Sequence, residues 1–163
     1  MKLQNLFEMQ KSLDHHIEEK HNLTSDDLFD RKVLALLVEI GELANETRCF
    51  KFWSLKESNS KDVILEEFVD GIHFILSLGI ESGYNHLKEI NIERSPETSL
   101  SDQFLKIYEL ITTFRLNRSI ENYKLVFESY LLLANQLGFT DGDIERAYVS
   151  KNEVNYKRQQ EGY

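Results

Sequence analysis

A single proline, Pro96, interrupts 163 residues, and the seven glycines are scattered along the chain rather than gathered at turns. Proline breaks helix interiors, and turn-rich β folds use many prolines and glycines, so a chain this poor in both favours long helices. Apolar periodicity predicts six of them. The first runs from about Leu3 to Glu19, with Leu3, Leu6, Phe7, Leu13 and Ile17 on one stripe. The second opens at Ser25 or Asp26, both suitable N-caps, and reaches about Arg48. The third starts near Lys61 and continues to Leu87, with Gly79 and Gly83 as candidate breaks. Asn91 to Glu97, holding Arg94-Ser95-Pro96, reads as a linker. The fourth helix spans Ser99 to Leu116, and the fifth spans Ser119 to Leu137, stopped by Gly138. The sixth begins at Thr140-Asp141-Gly142-Asp143 and runs to about Arg158, leaving Gln159 to Tyr163 as a mobile tail. An all-α bundle of about six helices follows, one domain over residues 1–163, with the second and third helices at its centre.

The formal net charge is -9, with no block of Lys or Arg to concentrate positive charge. Such a chain repels nucleic-acid phosphates and anionic lipid, so neither is an expected partner. Cys49 is the only cysteine, which suits a reducing cytoplasm. No charged-then-apolar leader opens the chain and no run of about 18 apolar residues occurs, so neither secretion nor membrane spanning is expected.

The chemistry is concentrated in two acid pairs. Glu39 and Glu42 lie three residues apart in Val33-Leu-Ala-Leu-Leu-Val-Glu39-Ile-Gly-Glu42, so they share a helix face among apolar neighbours. Glu67 and Asp70 repeat that spacing on the next helix, in Val63-Ile-Leu-Glu66-Glu67-Phe-Val-Asp70-Gly-Ile-His73-Phe74. One Glu-x-x-Glu alone is ordinarily a solvated helix face. Two pairs in apolar stretches on successive helices need a shared counter-charge, because an unpaired buried carboxylate costs several kcal/mol. Hard divalent cations such as Mg²⁺ take oxygen ligands of this kind and complete their shells with phosphate. Gly41 and Gly71, each costing about 1 kcal/mol relative to alanine in mid-helix, suggest close helix approach beside the acids. Glu66 points about 100° away from Glu67 and reads as a solvated or outer acid.

The pattern Glu39-x-x-Glu42, 24 intervening residues, then Glu67-x-x-Asp70 resembles the all-α nucleotide pyrophosphohydrolases, a group that includes the dimeric dUTPases, the MazG-type enzymes and the phosphoribosyl-ATP pyrophosphohydrolases. Within it the chain most resembles the dimeric dUTPases, through Phe50-Lys51-Phe52-Trp53, Asp70-Gly-Ile-His73-Phe74 and Lys151-Asn152-x-x-Asn155-x-x-Arg158. The resemblance covers nearly the whole chain. It implies that Glu39, Glu42, Glu67 and Asp70 hold two or more Mg²⁺ ions, with Mn²⁺ a substitute, and that these clamp a triphosphate. It also implies that one carboxylate, for which Glu39 is the candidate, orients the attacking water. The implied products are dUMP and pyrophosphate, with dUDP a further substrate and a homodimer the assembly. Gln10, Trp53, His73 and Phe74 would form the base site, with plain core packing the alternative for the last three. Asp14 joins them at a position where related enzymes often carry Asn.

Lys151, Asn155 and Arg158 fall at i, i+4 and i+7, one basic helix face in an acidic protein. Arg offers the forked geometry that suits phosphate, so this face is the candidate phosphate site; a solvated helix end paired with its own dipole is the alternative. Two other functions compete. One is a MazG-type pyrophosphohydrolase of different base preference. The other is a helical interaction module whose acids bind metal for stability, docking through Phe104, Ile107, Leu110, Ile111 and Phe114 of the fourth helix and Leu125, Phe127, Leu131 and Leu132 of the fifth. Those two faces suit a homodimer equally well.

Overall fold

The computed structural model describes residues 1–92 and 98–162. It contains six helices in the order α1 (Gln4–Lys20), α2 (Phe29–Thr47), α3 (Lys61–Glu81), α4 (Leu100–Leu116), α5 (Ile120–Leu137) and α6 (Asp141–Glu161). The fold is all-α: the one β pairing among the described residues is the isolated bridge between Lys2 and Glu89. Among the described residues, no helix is long and apolar enough to cross a membrane.

Helix α3 is the hub. Its middle is buried on every side, from Phe68 and Val69 through Gly71, Ile72, His73, Ile75, Leu76, Ser77, Leu78 and Gly79. Such all-round burial requires neighbours on all faces, and α1, α2, α5 and α6 all pack against it. Helix α4 closes the outer layer against α2 and α5.

Tyrosine hydroxyls, rather than a bare helix–helix approach, explain the mid-helix glycines. Tyr130 donates to the Phe68 carbonyl at 2.9 Å, and a methyl group at Gly71 would overlap its ring. Tyr123 donates to Ile75 O at 3.1 Å in the same way beside Gly79. Tyr108 reaches Leu37 O at 3.1 Å, where a Cβ on Gly41 would stand 3.2 Å from its hydroxyl. Each notch lets a large aromatic satisfy its hydroxyl inside the core. Gly71→Ala should therefore lower stability by about 1–3 kcal/mol, the usual cost of overpacking. Thermal melting checks this, and an unchanged melting temperature would show that Tyr130 moves aside freely.

The helix boundaries depart from expectation at three places. Helix α2 starts at Phe29, not at Ser25 or Asp26; the Asp27 carboxylate accepts the Phe29 N–H at 3.1 Å and sets the first turn. Helix α3 passes through Gly79 but ends at Glu81, well before Leu87, because Gly83 adopts φ 79°. Helix α6 continues to Glu161 and is capped by Gly162 at φ 86°, so Gln159 and Gln160 are helical rather than part of a tail. Arg94, Ser95 and Pro96 of the expected linker, and Tyr163, lie outside the described residues. Ser99, Ser119 and Thr140 cap α4, α5 and α6 through their side chains, and Thr140 with Asp143 forms a reciprocal capping box.

The apolar faces of α4 and α5 are used internally. Phe104, Ile107, Ile111, Phe114, Phe127 and Leu131 are all buried in the core. Leu125 of the α5 face is exposed, and the other large apolar side chains left in solvent include Leu105 and Leu116 on α4, Leu34 and Val38 on α2, and Phe52, Trp53 and Leu55 in the loop after α2.

Candidate active site

Helices α2 and α3 bring carboxylate oxygens of Glu39, Glu67 and Asp70 within 4.8 Å of one another. All three side chains are half-buried. Burial, followed by the charges of Asp70, Glu42 and Glu67, pushes the Glu39 carboxyl up to about 7. Burial and neighbouring acids also raise Glu67. Asp70 is raised by burial, although Lys151 pulls it back. Glu42 is exposed one turn along from Glu39 and stands outside the compact trio, although its charge reaches both Glu39 and Glu67. Three converging hard oxygen donors, each held above its ordinary carboxyl value first by burial, fit a divalent cation of the Mg²⁺ type.

Helix α6 places the basic face alongside. Lys151 is buried and spans two carboxylates, 2.7 Å from Asp70 and 2.9 Å from Glu66. Glu66 is therefore the anchor of Lys151 rather than a purely solvated acid. Asn155 and Arg158 lie on the wall of a cavity of about 340 Å³, together with Glu39 and Asp70.

The other end of this cavity holds a hydrogen-bonded chain from α1, α3 and α6. Gln10 Nε2 donates to Asp14 at 2.7 Å, and Ser77 Oγ donates to the other Asp14 oxygen at 2.6 Å. Gln10 Oε1 then accepts from His73 Nδ1 and from the Tyr148 hydroxyl, each at 2.8 Å. Phe74 contributes apolar wall. So Gln10, Asp14, His73 and Phe74 come together. Trp53 does not join them: it is 65% exposed, stacked edge-on against Phe52 at 5.0 Å, and absent from the cavity lining.

A family model described as dUTPase matches residues 2–163. The chain belongs to the dUTPase family. Hydrolysis of dUTP is accordingly its activity in general terms. No curated protein matches the chain in sequence.

Sequence reasoning missed three side chains of this dUTPase's cavity network. Ser77 and Tyr148 carry no local signal in the sequence, and their hydroxyls matter only because α1, α3 and α6 converge to bring them to Asp14 and Gln10. Lys32 lines the cavity through its ion pairs to Glu18 at 3.1 Å and Glu81 at 3.0 Å, partners 14 and 49 residues away with no local spacing signal. The chain of donors also fixes the His73 ring: with Asp14 ionised, Gln10 must present its carbonyl to His73, so Nδ1 carries the proton. Its Nε2 finds no partner among the described residues.

Burial, then the charge of Lys151, pushes His73 down to about 3 from an ordinary 6.5. The folded imidazole thus refuses a proton that the unfolded chain accepts. Its contribution to stability is full above the unfolded value and is lost as pH falls from 6.5 towards 3. Relative to pH 7.5, the loss at pH 5 is about 2 kcal/mol. Nitrogen-15 spectra of the folded enzyme should show His73 as a neutral Nδ1–H tautomer that does not titrate between pH 5 and 8. A midpoint near 6.5 would overturn this assignment.

Proposed function

We propose that the enzyme carries out Mg²⁺-dependent hydrolysis of dUTP, and also of dUDP, to dUMP. Water adds to the α-phosphorus and the bond to the α–β bridging oxygen breaks, so dUTP yields pyrophosphate and dUDP yields phosphate. The observation that carries this reading is shared membership: Glu39 and Asp70 belong both to the carboxylate trio and to the wall of the cavity that holds Gln10, His73 and Phe74. A nucleotide in that cavity has its phosphates against the acids and its base against the buried network.

Glu39, Glu67 and Asp70 would hold the divalent cation, with Glu42 at the rim. When bound, that ion supplies neutralisation of phosphate charge and polarisation of the water and phosphoryl groups. Glu39 orients the attacking water and accepts its proton. Asn155 and Arg158 donate to phosphate oxygens, Arg158 through its planar fork. Lys151 pairs with Asp70 at 2.7 Å and adds positive charge beside the phosphates. Phe74 packs on the base, and His73 shapes the pocket around it. The exposed Leu34, Val38, Phe52 and Leu55 support a homodimer, and Trp53, exposed on its own chain, keeps its role against a base only in such an assembly.

Incubation with dUTP and Mg²⁺ in ¹⁸O-water tests this. We expect dUMP and pyrophosphate, with the label in dUMP, and loss of turnover on adding EDTA. Label in pyrophosphate, release of dUDP, or turnover that survives EDTA would sink the mechanism.

A further inference from the structure

Helix α3 carries one carboxylate more than the trio uses. Glu66 comes one residue before Glu67, about 100° around the helix, and roughly one turn before Asp70. It therefore meets α6, where Lys151 Nζ lies 2.9 Å from its carboxylate, whereas Glu67 meets Glu39 of α2. Asp70 serves both sides. It belongs to the trio and lines the main cavity, and it also pairs with Lys151 at 2.7 Å. Lys151 and Glu66 line a different hollow, of about 370 Å³, walled by residues of α3 and α6. Glu66 and Asp70, spaced i to i+4, would repel each other on an isolated helix; with Lys151 between them they act as its shared counter-ion.

The Lys151 side chain is only 10% exposed, so its ammonium needs a carboxylate throughout. A buried charge that loses its partner is strongly destabilising. Asp70 cannot meet that need in full and also give its charge to a dication. Glu66 stands outside the trio, with its side chain 59% exposed, and can. We infer that Glu66 is a positioning residue for the metal centre: it retains Lys151 when Asp70 turns to the cation, so the site loads without stranding a buried ammonium. Glu66 acts here through Lys151 and not as a ligand. With Glu66 in place, Lys151 passes from two partners to one. Without it, a cation must take the last carboxylate that Lys151 has. Plain attraction of a cation by one more negative charge is a different effect, because it would act whether or not Lys151 is present.

The inference rests on the reading of Glu39, Glu67 and Asp70 as the metal ligands, and the test separates the two. Calorimetric titration of the nucleotide-free protein with Mg²⁺ at pH 8 gives Kd for the parent, Glu66→Gln, Lys151→Met and the double variant. A salt concentration of about 0.15 M screens exposed charges over about 8 Å. We expect Glu66→Gln to raise Kd by about three- to tenfold, between the effect of an exposed pair and that of a hydrogen bond to a charged group. Lys151→Met should leave Kd at or below the parent value. In the Lys151→Met background, Glu66→Gln should change Kd by less than about twofold, the coupling expected of two residues that act as a unit. Melting in EDTA verifies that each variant keeps the fold. A Kd for Glu66→Gln within twofold of the parent overturns the inference. A loss of the same size with and without Lys151 also overturns it, and leaves simple charge attraction. Absence of Mg²⁺ binding by the parent, or binding unaffected by Glu39→Gln, removes the metal reading itself.

Discussion

Glu39→Gln should abolish turnover while making the metal-free protein more stable. The two effects come from one cause. Glu39 is ionised only with difficulty, because burial and the charges of Asp70, Glu42 and Glu67 all oppose it. That crowding is what would make the trio a site for a dication, and it burdens the fold when no cation is present. Glutamine keeps the shape and removes the charge. Loss of the group proposed both to orient water and to hold the metal should lower kcat/KM by at least about 10³. Above pH 7 in EDTA the same change should stabilise the fold by on the order of 1 kcal/mol, a modest figure because a half-exposed carboxylate is screened by solvent. Calorimetry with and without EDTA reads the second effect, and steady-state assays the first. Asp70→Asn should show no such gain, since it breaks the 2.7 Å pair with Lys151. Glu42→Gln, outside the trio, should lose less activity than Glu39→Gln. If Glu39→Gln kept activity within tenfold, or melted lower than the parent in EDTA, the carboxylates would not form a strained metal centre.

The elements that could be read from the chain are those written in local periodicity. Apolar stripes, three side-chain caps and a terminal glycine give α1, α4, α5 and the start of α6 closely, and the paired spacing of Glu39-x-x-Glu42 and Glu67-x-x-Asp70 points to the carboxylate face. What escaped reading depends on contacts distant in sequence. Ser25 and Asp26 have the chemistry of N-caps, yet the first turn of α2 is set by Asp27 and Leu28. Lys151 looks like a free phosphate ligand on its helix, and only the packing of α6 on α3 delivers it to Asp70 and Glu66. The apolar faces of α4 and α5 look like docking surfaces because their mutual burial has no signature in either helix alone. Trp53 reads as a base-stacking residue from its motif, but the loop after α2 carries it away from the cavity of its own chain. Gln10 and Asp14 were legible as polar residues one turn apart; that Ser77, Tyr148 and Lys32 complete their network was not.

Magnesium should raise the melting temperature strongly at pH 8 and weakly at pH 5.5. Glu39, Glu67 and Asp70 all have carboxyls raised above their ordinary values. A raised carboxyl keeps its proton in the folded state after the unfolded chain has released it. In the absence of metal these groups therefore favour the fold at low pH, and that contribution is lost as pH rises; for Glu39 the window runs from about 4.5 to about 7. A dication replaces the lost protons as counter-charge, so its benefit is greatest where the trio is ionised. At a free concentration of one hundred times Kd, binding to the native state alone stabilises by about 2.7 kcal/mol. For a chain of this size that corresponds to a rise of roughly 5–10 °C. At pH 5.5 protons compete for the same oxygens, and the shift should shrink to a small fraction of that. Glu39→Gln should lose most of the pH 8 shift and Lys151→Met should keep it, since Lys151 competes with the cation for Asp70 rather than helping to bind it. Equal shifts at the two pH values would mean that the ion binds elsewhere on this acidic surface, and the trio would then be an acid cluster that tolerates its own repulsion without a resident metal.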